Sequence, residues 1–144
     1  MKEMEALQEQ LIRHENLRMK PYKCTSGKLT IGVGRNIEDN GITEEEARYL
    51  LQNDITRVIY ELHHSIPHLV HPLDSIRQHV LIDMCFNLGL TRFLTFKKML
   101  LALEVLNFEM AAVEMLDSEW ARQVGDNKGQ RAFELARMMR TGEA

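Results

Sequence analysis

The N-terminal segment has the apolar spacing of an amphipathic helix, which we predict from about residue 3 to about residue 14. Its apolar face consists of Met4, Leu7, Leu11 and Ile12. Pro21 disfavours helical geometry at the residue before it, so the chain is expected to become extended there. The first helix therefore has to end ahead of Pro21.

The segment after Pro21 has the composition of a β-hairpin. Residues 25–28 combine Thr, Ser, Gly and Lys, which favour a turn, and residues 29–34 form a β-branched run that is loosened by two glycines. We predict a short hairpin here, with a third strand near Ile37. Asn40 and Gly41 then form a turn.

A long second helix is predicted after that turn. Thr43 and Glu46 have the spacing of a capping box, in which each side chain bonds the free backbone N–H of the other residue, so the helix should start at Glu44. Apolar positions keep helical spacing for about five turns, until the segment that ends at Pro67 interrupts them. These positions are Ala47, Leu50, Leu51, Ile55, Val58, Ile59 and Leu62.

The second half of the chain is predicted to be helical throughout. One helix follows Asp74 as its N-cap and stops at Gly89, and it is apolar around most of its circumference, as expected in the middle of a bundle. Shorter helices follow at about residues 93–106, 108–116 and 129–139. Asn107 is expected to cap the second of these, and Trp120 to anchor the turn after it.

These elements indicate an α+β fold that is mainly α, in which a small β-hairpin lobe is joined by a long helix to a C-terminal helical bundle. A length of 144 residues suits one domain over residues 1–144. Its expected parts are a hairpin lobe at about 14–42, a linking helix at about 43–64, and a helical lobe at about 73–144 that is completed by the N-terminal helix 1–14.

Composition excludes several classes of protein. Of the 144 residues, 44% are apolar and 27% charged, and no apolar stretch reaches the ~18 residues that a membrane span needs. The N-terminus lacks the apolar segment of a secretory signal, so we expect synthesis and retention in a cytosol. Cys24 and Cys85 are therefore expected to remain free thiols.

Charge is unevenly distributed along the chain. Residues 16–36 carry five bases and no acid, residues 38–61 carry seven acids and two bases, and residues 120–140 are basic again. If the two basic segments meet in the fold, they would line a positive cleft suited to an anionic polymer. Scattered surface charge is the alternative, and the counts alone do not separate the two.

Glu15 is the last acid before Glu38, and it lies between the first helix and the hairpin that carries Cys24 and Thr30. A carboxylic acid can protonate a leaving oxygen while a hydroxyl orders an attacking water, so this set of side chains suits general acid catalysis. Each residue also has an ordinary explanation, as a solvated helix-end charge, a small buried cysteine or a strand threonine.

The spacing of these residues, nine positions from Glu15 to Cys24 and six more to Thr30, is followed by Ile-Gly-Val-Gly at 31–34. It resembles the active-site hairpin of phage lysozymes of glycoside hydrolase family 24, the T-even phage lysozyme-like family, in a Glu/Cys/Thr variant of the motif. Residues 74–77 and 81–89 resemble the buried central helix of that family, and residues 140–142 its closing helix. The resemblance implies cleavage of the β-1,4 bond between N-acetylmuramic acid and N-acetylglucosamine in peptidoglycan.

By this resemblance, Glu15 donates a proton to the glycosidic oxygen. Thr30 holds the water that attacks the anomeric carbon from the opposite face, which fits an inverting course. Cys24 stands where many relatives carry aspartate, and two roles are open for it. Either basic neighbours such as Lys23 and Arg35 lower the pKa of Cys24 so that a thiolate supplies negative charge, or the thiol stays neutral and the other two residues carry the reaction.

The resemblance also implies substrate-binding residues. Phe86 and Asn87, at the end of the central helix, resemble residues that face the sugar chain, and Arg131 resembles the arginine that lies against the catalytic glutamate. Core packing is the alternative for Phe86, and the sequence favours it. The histidines between residues 63 and 71 straddle Pro67 without the spacing of a metal site, so we expect no metal and no cofactor.

The leading functional hypothesis is a phage endolysin, a monomeric muramidase that acts on peptidoglycan glycan strands and lyses the host cell. It implies residence in the host cytoplasm until release to the periplasm and cell wall, without stable membrane insertion. The alternatives are a non-catalytic peptidoglycan-binding protein and a lytic transglycosylase. A nucleic-acid binder is disfavoured by the pI of about 6.1 and by the lack of a groove-reading motif.

Overall fold

The computed structural model describes all 144 residues and divides them into two compact units, Met1–Leu50 and Leu51–Ala144. The elements of the first unit are α1 (Lys2–Glu15), β1 (Arg18–Lys23), β2 (Leu29–Gly32), β3 (Arg35–Asn36), α2 (Ile37–Asn40) and the first turns of α3 (Glu44–Ser65). The second unit contains the rest of α3, then α4 (Pro67–Val70), α5 (Ser75–Leu88), α6 (Leu90–Phe93), α7 (Lys97–Glu104), α8 (Phe108–Leu116), α9 (Glu119–Val124) and α10 (Arg131–Thr141). The predicted α+β class, mainly α, is confirmed.

Helix α1 forms where its apolar spacing predicts a helix, but it buries none of its side chains. It ends at Glu15, and the next residue, Asn16, has φ 67° and ψ 152°, a backbone region that is usually left to glycine and costs about 1–3 kcal/mol. The N–H of Asn16 bonds the carbonyl of Ile12 and so closes the last turn. The expectation that this helix completes the helical lobe stays a prediction.

The three strands form one antiparallel sheet in the order β1-β2-β3. Tyr22 lies opposite Thr30 between β1 and β2, and Thr30 lies opposite Asn36 between β2 and β3, so Thr30 occupies the middle of the sheet. The third strand predicted near Ile37 is Arg35–Asn36, and the short helix α2 begins at Ile37.

The predicted capping box at the start of α3 is confirmed. The backbone N–H of Thr43 donates to Glu46 Oε1 at 2.8 Å, and the N–H of Glu46 donates to Thr43 Oγ1 at 3.1 Å. Arg35 Nη1 also lies 2.6 Å from Glu46 Oε1, and this bond, together with the Thr43 N–H, lowers the pKa of Glu46 to about 2. The ion pair therefore fastens β3 to the first turn of α3.

The hydrophobic core lies wholly in the second unit, between Val58 and Met139. Helix α5 contributes four of its buried side chains, Val80, Leu81, Met84 and Cys85. Asp74 caps this helix by accepting a bond from the Arg77 N–H, and Gly89 follows its last residue, as predicted. Burial raises the pKa of the Cys85 thiol to about 11, so this residue is an inert apolar group at neutral pH.

Arg77 joins the start of α5 to the end of α10. Its Nε donates to the Met139 carbonyl at 2.6 Å and its Nη2 to the Arg140 carbonyl at 3.0 Å, two groups of the last turn of α10. Its guanidinium also pairs with Asp74 at 3.0 Å and lies 3.7 Å from the centre of the Phe108 ring. The half-buried guanidinium of Arg77 thus satisfies two carbonyl groups at the C-terminus of α10, which have no hydrogen-bond donor within their own helix.

None of the ten helices is both long enough and apolar enough to cross a lipid bilayer. Both cysteines are free thiols, as predicted; Cys24 is half-buried and Cys85 is buried.

Candidate active site

The carboxylate of Glu15 lies against the backbone of Gly34, just beyond β2. A Cβ atom built on Gly34 would stand 2.9 Å from Glu15 Oε2 and 3.1 Å from its carboxyl carbon. Gly34 has φ 65°, which a residue with a side chain rarely adopts, so both the turn and the contact require glycine here. The end of α1 is thereby brought onto the hairpin that carries Cys24 and Thr30.

Cys24 opens the tight turn between β1 and β2. The N–H of Gly27 bonds the carbonyl of Cys24 at 2.8 Å, and the N–H of Cys24 bonds the carbonyl of Lys28 at 3.0 Å. Gly27 has φ 80°, as a short hairpin loop of this kind requires. The turn places the Ser26 hydroxyl 3.1 Å from the sulfur.

Hydrogen bonds at this turn favour the ionised form of Cys24. The hydroxyl of Ser26, 3.1 Å from the sulfur, has the largest effect, and the backbone N–H groups of Lys28 and Ser26 add to it. Together they lower the pKa of the Cys24 thiol to about 7, against a small opposing effect of burial. The cause of the lowered pKa differs from the predicted one. Hydrogen-bond donors of the turn, and not the cations of Lys23 and Arg35, stabilise the ionised sulfur.

Thr30 is the one buried polar side chain, with 3% of its surface exposed. Its hydroxyl donates to the Lys28 carbonyl at 2.9 Å. This bond uses the single hydroxyl proton and leaves the oxygen lone pairs free to accept a bond from a water molecule.

The bases around the hairpin are partly neutralised within the first unit. Lys28 Nζ lies 3.3 Å from Asp39 Oδ1, Arg35 pairs with Glu46, and the Arg18 guanidinium lies over an aromatic ring of the same strand. In the second unit, three basic residues of the tail also have acidic partners: Arg122 with Glu119, Arg131 with Asp83 and Arg137 with Glu134. Of the five bases in residues 16–36, Lys28 and Arg35 are thus paired with acids, whereas Arg18, Lys20 and Lys23 are not.

The three residues predicted to bind substrate all lie in the second unit. Phe86 is 41% exposed, so the core packing that the sequence favours for it is wrong. Asn87 Oδ1 accepts a 2.7 Å bond from the indole N–H of the buried Trp120. The Arg131 guanidinium binds Asp83 Oδ1 at 2.6 Å through Nη2 and at 3.0 Å through Nε.

Two cavities open on the second unit. One, of about 470 Å³, is mainly apolar and contains the exposed Phe86 and the Asp83–Arg131 pair. Its other lining residues are Leu51, Ile55, Ile59, His79 and Ile82. The second, of about 420 Å³, lies beside Phe96 and Trp120, and it was not predicted from the sequence because its residues come from separate helices. No cluster of three or more His, Cys, Asp or Glu side chains is suited to hold a metal ion.

Comparison with known proteins places these features in a family context. A family model described as phage lysozyme matches residues 12–137, a range that includes Glu15, Cys24, Thr30 and Arg131. The chain is 33% identical over 114 residues to a protein named Endolysin from Acyrthosiphon pisum secondary endosymbiont phage 1, covering 76% of this chain and 73% of that protein.

Two proteins of Dictyostelium discoideum are also similar. One, named Probable T4-type lysozyme 1, is 29% identical over 147 aligned positions, which cover 82% of this chain and 86% of the relative. The other, named Probable T4-type lysozyme 2, is 26% identical over 146 positions with the same coverage of each chain. The similarity therefore extends over most of the length of each protein.

Proposed function

This chain belongs to the phage lysozyme family, and we propose that it is an endolysin, a muramidase that hydrolyses the β-1,4 bond between N-acetylmuramic acid and N-acetylglucosamine in peptidoglycan. The observation that carries the proposal is the contact of the Glu15 carboxylate with Gly34. Glu15 is the only acid among residues 15–37. Its contact with Gly34 brings the carboxylate to the hairpin that holds the Cys24 thiol, whose pKa is lowered, and the buried Thr30 hydroxyl. An acid that can protonate a leaving oxygen and a hydroxyl that can hold a water molecule are groups that acid-assisted glycoside hydrolysis can use.

In the proposed reaction, Glu15 transfers its proton to the glycosidic oxygen as the bond from that oxygen to the anomeric carbon breaks. A water molecule that donates a hydrogen bond to Thr30 Oγ1 attacks the anomeric carbon from the opposite face and loses a proton to the surrounding water. The new C–O bond replaces the broken one, so the course is inverting. Thr30 is suited to this role because its own proton is committed to the Lys28 carbonyl.

Cys24 is proposed to act as a thiolate. With a pKa of about 7, an appreciable fraction of the sulfur is ionised at neutral pH. Its negative charge would stabilise the positive charge that develops on the sugar ring in the transition state. In this proposal, the three residues of the Glu/Cys/Thr variant have distinct roles: Glu15 donates a proton, Cys24 supplies negative charge, and Thr30 holds the attacking water.

Cys24→Ser is expected to lower the rate of peptidoglycan hydrolysis at pH 7 by about tenfold, because a serine hydroxyl does not ionise in this range. The ratio of the native rate to the Cys24→Asp rate, in which the contribution of the general acid cancels, should rise between pH 6 and pH 8 as the thiolate forms around its pKa of about 7. Cys24→Asp serves as the reference because its carboxylate is already ionised at pH 6. Initial rates against pH for the three proteins provide the measurement, and near-full activity of Cys24→Ser at pH 7 would exclude a catalytic thiolate.

Gly34→Ala is expected to reduce the turnover rate by about tenfold more than Gly32→Ala does, because displacing a catalytic group by a fraction of an ångström is costly. The two glycines have similar φ values, 65° and 71°, so both variants carry similar backbone strain. Only the Cβ at Gly34 would meet Glu15, whereas a Cβ at Gly32 has no atom within 4 Å. Turnover and urea unfolding are measured for both variants; equal losses of turnover would mean that the Glu15 contact is immaterial.

The second unit is proposed to bind the glycan. The exposed Phe86 ring offers a face for a sugar, and the side-chain amide N–H₂ of Asn87 is available to a substrate carbonyl, since only its oxygen is bonded to Trp120. Arg131, which resembles the arginine that lies against the catalytic glutamate in the family, is bound to Asp83 on the neighbouring helix α5.

The wider setting is also a proposal. We infer a monomeric enzyme that stays in the host cytoplasm until lysis and then reaches the periplasm and the cell wall, without binding nucleic acid or inserting into the membrane. The family relationship to a phage endolysin supports this setting. Analytical ultracentrifugation of the purified chain would test the monomer, since a sedimentation coefficient of a dimer would exclude it.

The function itself is tested by incubating the protein with purified peptidoglycan and measuring new reducing ends together with turbidity. A muramidase releases reducing ends as the suspension clears. A protein that only binds glycan would sediment with the walls and release none, and that outcome would overturn the proposal.

A further inference from the structure

Ser26 is the third residue of the turn that begins at Cys24, and its hydroxyl has one partner in the chain, the sulfur of Cys24 at 3.1 Å. The turn is fixed by the bond from the Gly27 N–H to the Cys24 carbonyl and by the bond from the Cys24 N–H to the Lys28 carbonyl. Ser26 is therefore held above the sulfur by the backbone of the hairpin rather than by a flexible contact.

Ser26 Oγ is the side-chain atom in hydrogen-bond contact with the Cys24 sulfur, at 3.1 Å. The backbone N–H groups of Lys28 and Ser26 have smaller effects on the pKa of Cys24. The Ser26 hydroxyl is therefore the group that side-chain substitution can remove without altering the hairpin backbone or the proposed catalytic residues.

We propose that Ser26 is a positioning residue of this site: its hydroxyl holds the Cys24 sulfur as a hydrogen-bonded thiolate, oriented for the proposed hydrolysis. The catalytic role of Ser26 rests on the proposed function. The effect of Ser26 on the ionisation of Cys24 does not, because it follows from the 3.1 Å contact between the two side chains.

Removal of the Ser26 hydroxyl should change the pKa of Cys24 in a direction that can be measured. The Ser26 hydrogen bond is the largest contribution to the lowered pKa of Cys24, so its loss should move that pKa from about 7 toward its ordinary value. At pH 7 fewer sulfurs would then be ionised. Because the thiolate is the form that reacts with alkylating agents, the rate of alkylation reports the change directly, without any substrate.

The experiment measures the rate of iodoacetamide reaction at Cys24 from pH 5.5 to pH 10 by peptide mass spectrometry, which separates Cys24 from the buried Cys85. In Ser26→Ala the alkylation midpoint should rise, and the rate at pH 7 should fall about fivefold. Ser26→Thr, which keeps a hydroxyl, should restore the native midpoint. Thr25→Ala removes a hydroxyl from the same turn that has no bond to the sulfur, and it should leave the midpoint unchanged.

Peptidoglycan hydrolysis by the same proteins tests the catalytic part. The ratio of native to Ser26→Ala activity should be greatest below pH 7, should decrease through neutral pH, and should approach one as the pH rises toward 9, a dependence that a structural defect would not produce. An unchanged alkylation midpoint in Ser26→Ala, or an activity ratio that does not vary with pH, would overturn the inference. A native protein with the expected midpoints but no hydrolysis would refute the proposed function and leave the Ser26–Cys24 coupling established.

Discussion

Replacing Glu15 with Gln is expected to slow the clearing of purified peptidoglycan by about 10³-fold, within the range of what a general acid contributes. Glutamine has nearly the same shape as glutamate, so it keeps the contact with Gly34 but carries no transferable acidic proton. Glu15 is an exposed residue at the end of α1. The free energy of unfolding should therefore change by no more than about 0.5 kcal/mol.

Glu9→Gln is the matched control, since Glu9 is an exposed acid on the same helix, α1. It removes the same charge and should leave the initial rate of clearing unchanged. Initial rates of turbidity loss and urea unfolding are recorded for both variants and the native protein. If Glu15→Gln clears walls as fast as Glu9→Gln, Glu15 is not the proton donor.

Arg77→Met is expected to lower the free energy of unfolding by about 3 kcal/mol. Methionine keeps most of the side-chain volume but loses the bonds to the Met139 and Arg140 carbonyls, which would remain without donors in a partly buried place. It also loses the stacking on Phe108 and the positive charge at the end of α10. Urea unfolding monitored by circular dichroism measures the change.

Arg137→Met provides the comparison for this loss. Arg137 pairs with Glu134 one turn away on α10 and bonds no residue of another element through its side chain. A partly exposed pair of this kind contributes less than about 1 kcal/mol. Equal destabilisation by the two substitutions would show that Arg77 does not hold α5 to α10.

Local signals were sufficient to predict several elements of this fold. The capping box of Thr43 and Glu46, the Asp74 cap and the Asn107 cap are confirmed, because each depends on residues three positions apart in the chain. The turn before β2 was also predictable, since Ser26 and Gly27 favour it whatever lies around them. Such interactions need no knowledge of distant residues.

Contacts between distant residues escaped prediction. The bond between Asn87 and Trp120 joins positions 33 residues apart, and the Asp83–Arg131 pair joins positions 48 apart. Periodicity likewise does not reveal that Phe86 faces outward, because α5 is apolar around most of its circumference and has no single buried face.

The candidate site was only partly accessible from sequence. The spacing of Glu15, Cys24 and Thr30 suggested the residues, and those roles stay proposals. The lowered pKa of Cys24 was anticipated as one of two readings, but with the wrong cause, because a count of nearby bases says nothing about where backbone N–H groups point. The contact between Ser26 Oγ and the Cys24 sulfur could be identified only from the three-dimensional geometry of the turn.

The most direct test of the account is the chemistry of the cut ends. Purified peptidoglycan is digested by the native protein in water enriched in oxygen-18, and the released muropeptides are analysed by mass spectrometry. If Glu15 protonates the leaving oxygen and Thr30 holds the attacking water, each new N-acetylmuramic acid end is a reducing end that carries one oxygen-18 atom at its anomeric carbon. Unlabelled 1,6-anhydro ends would contradict the account, because they would mean that the sugar's own hydroxyl, and not water, completes the reaction.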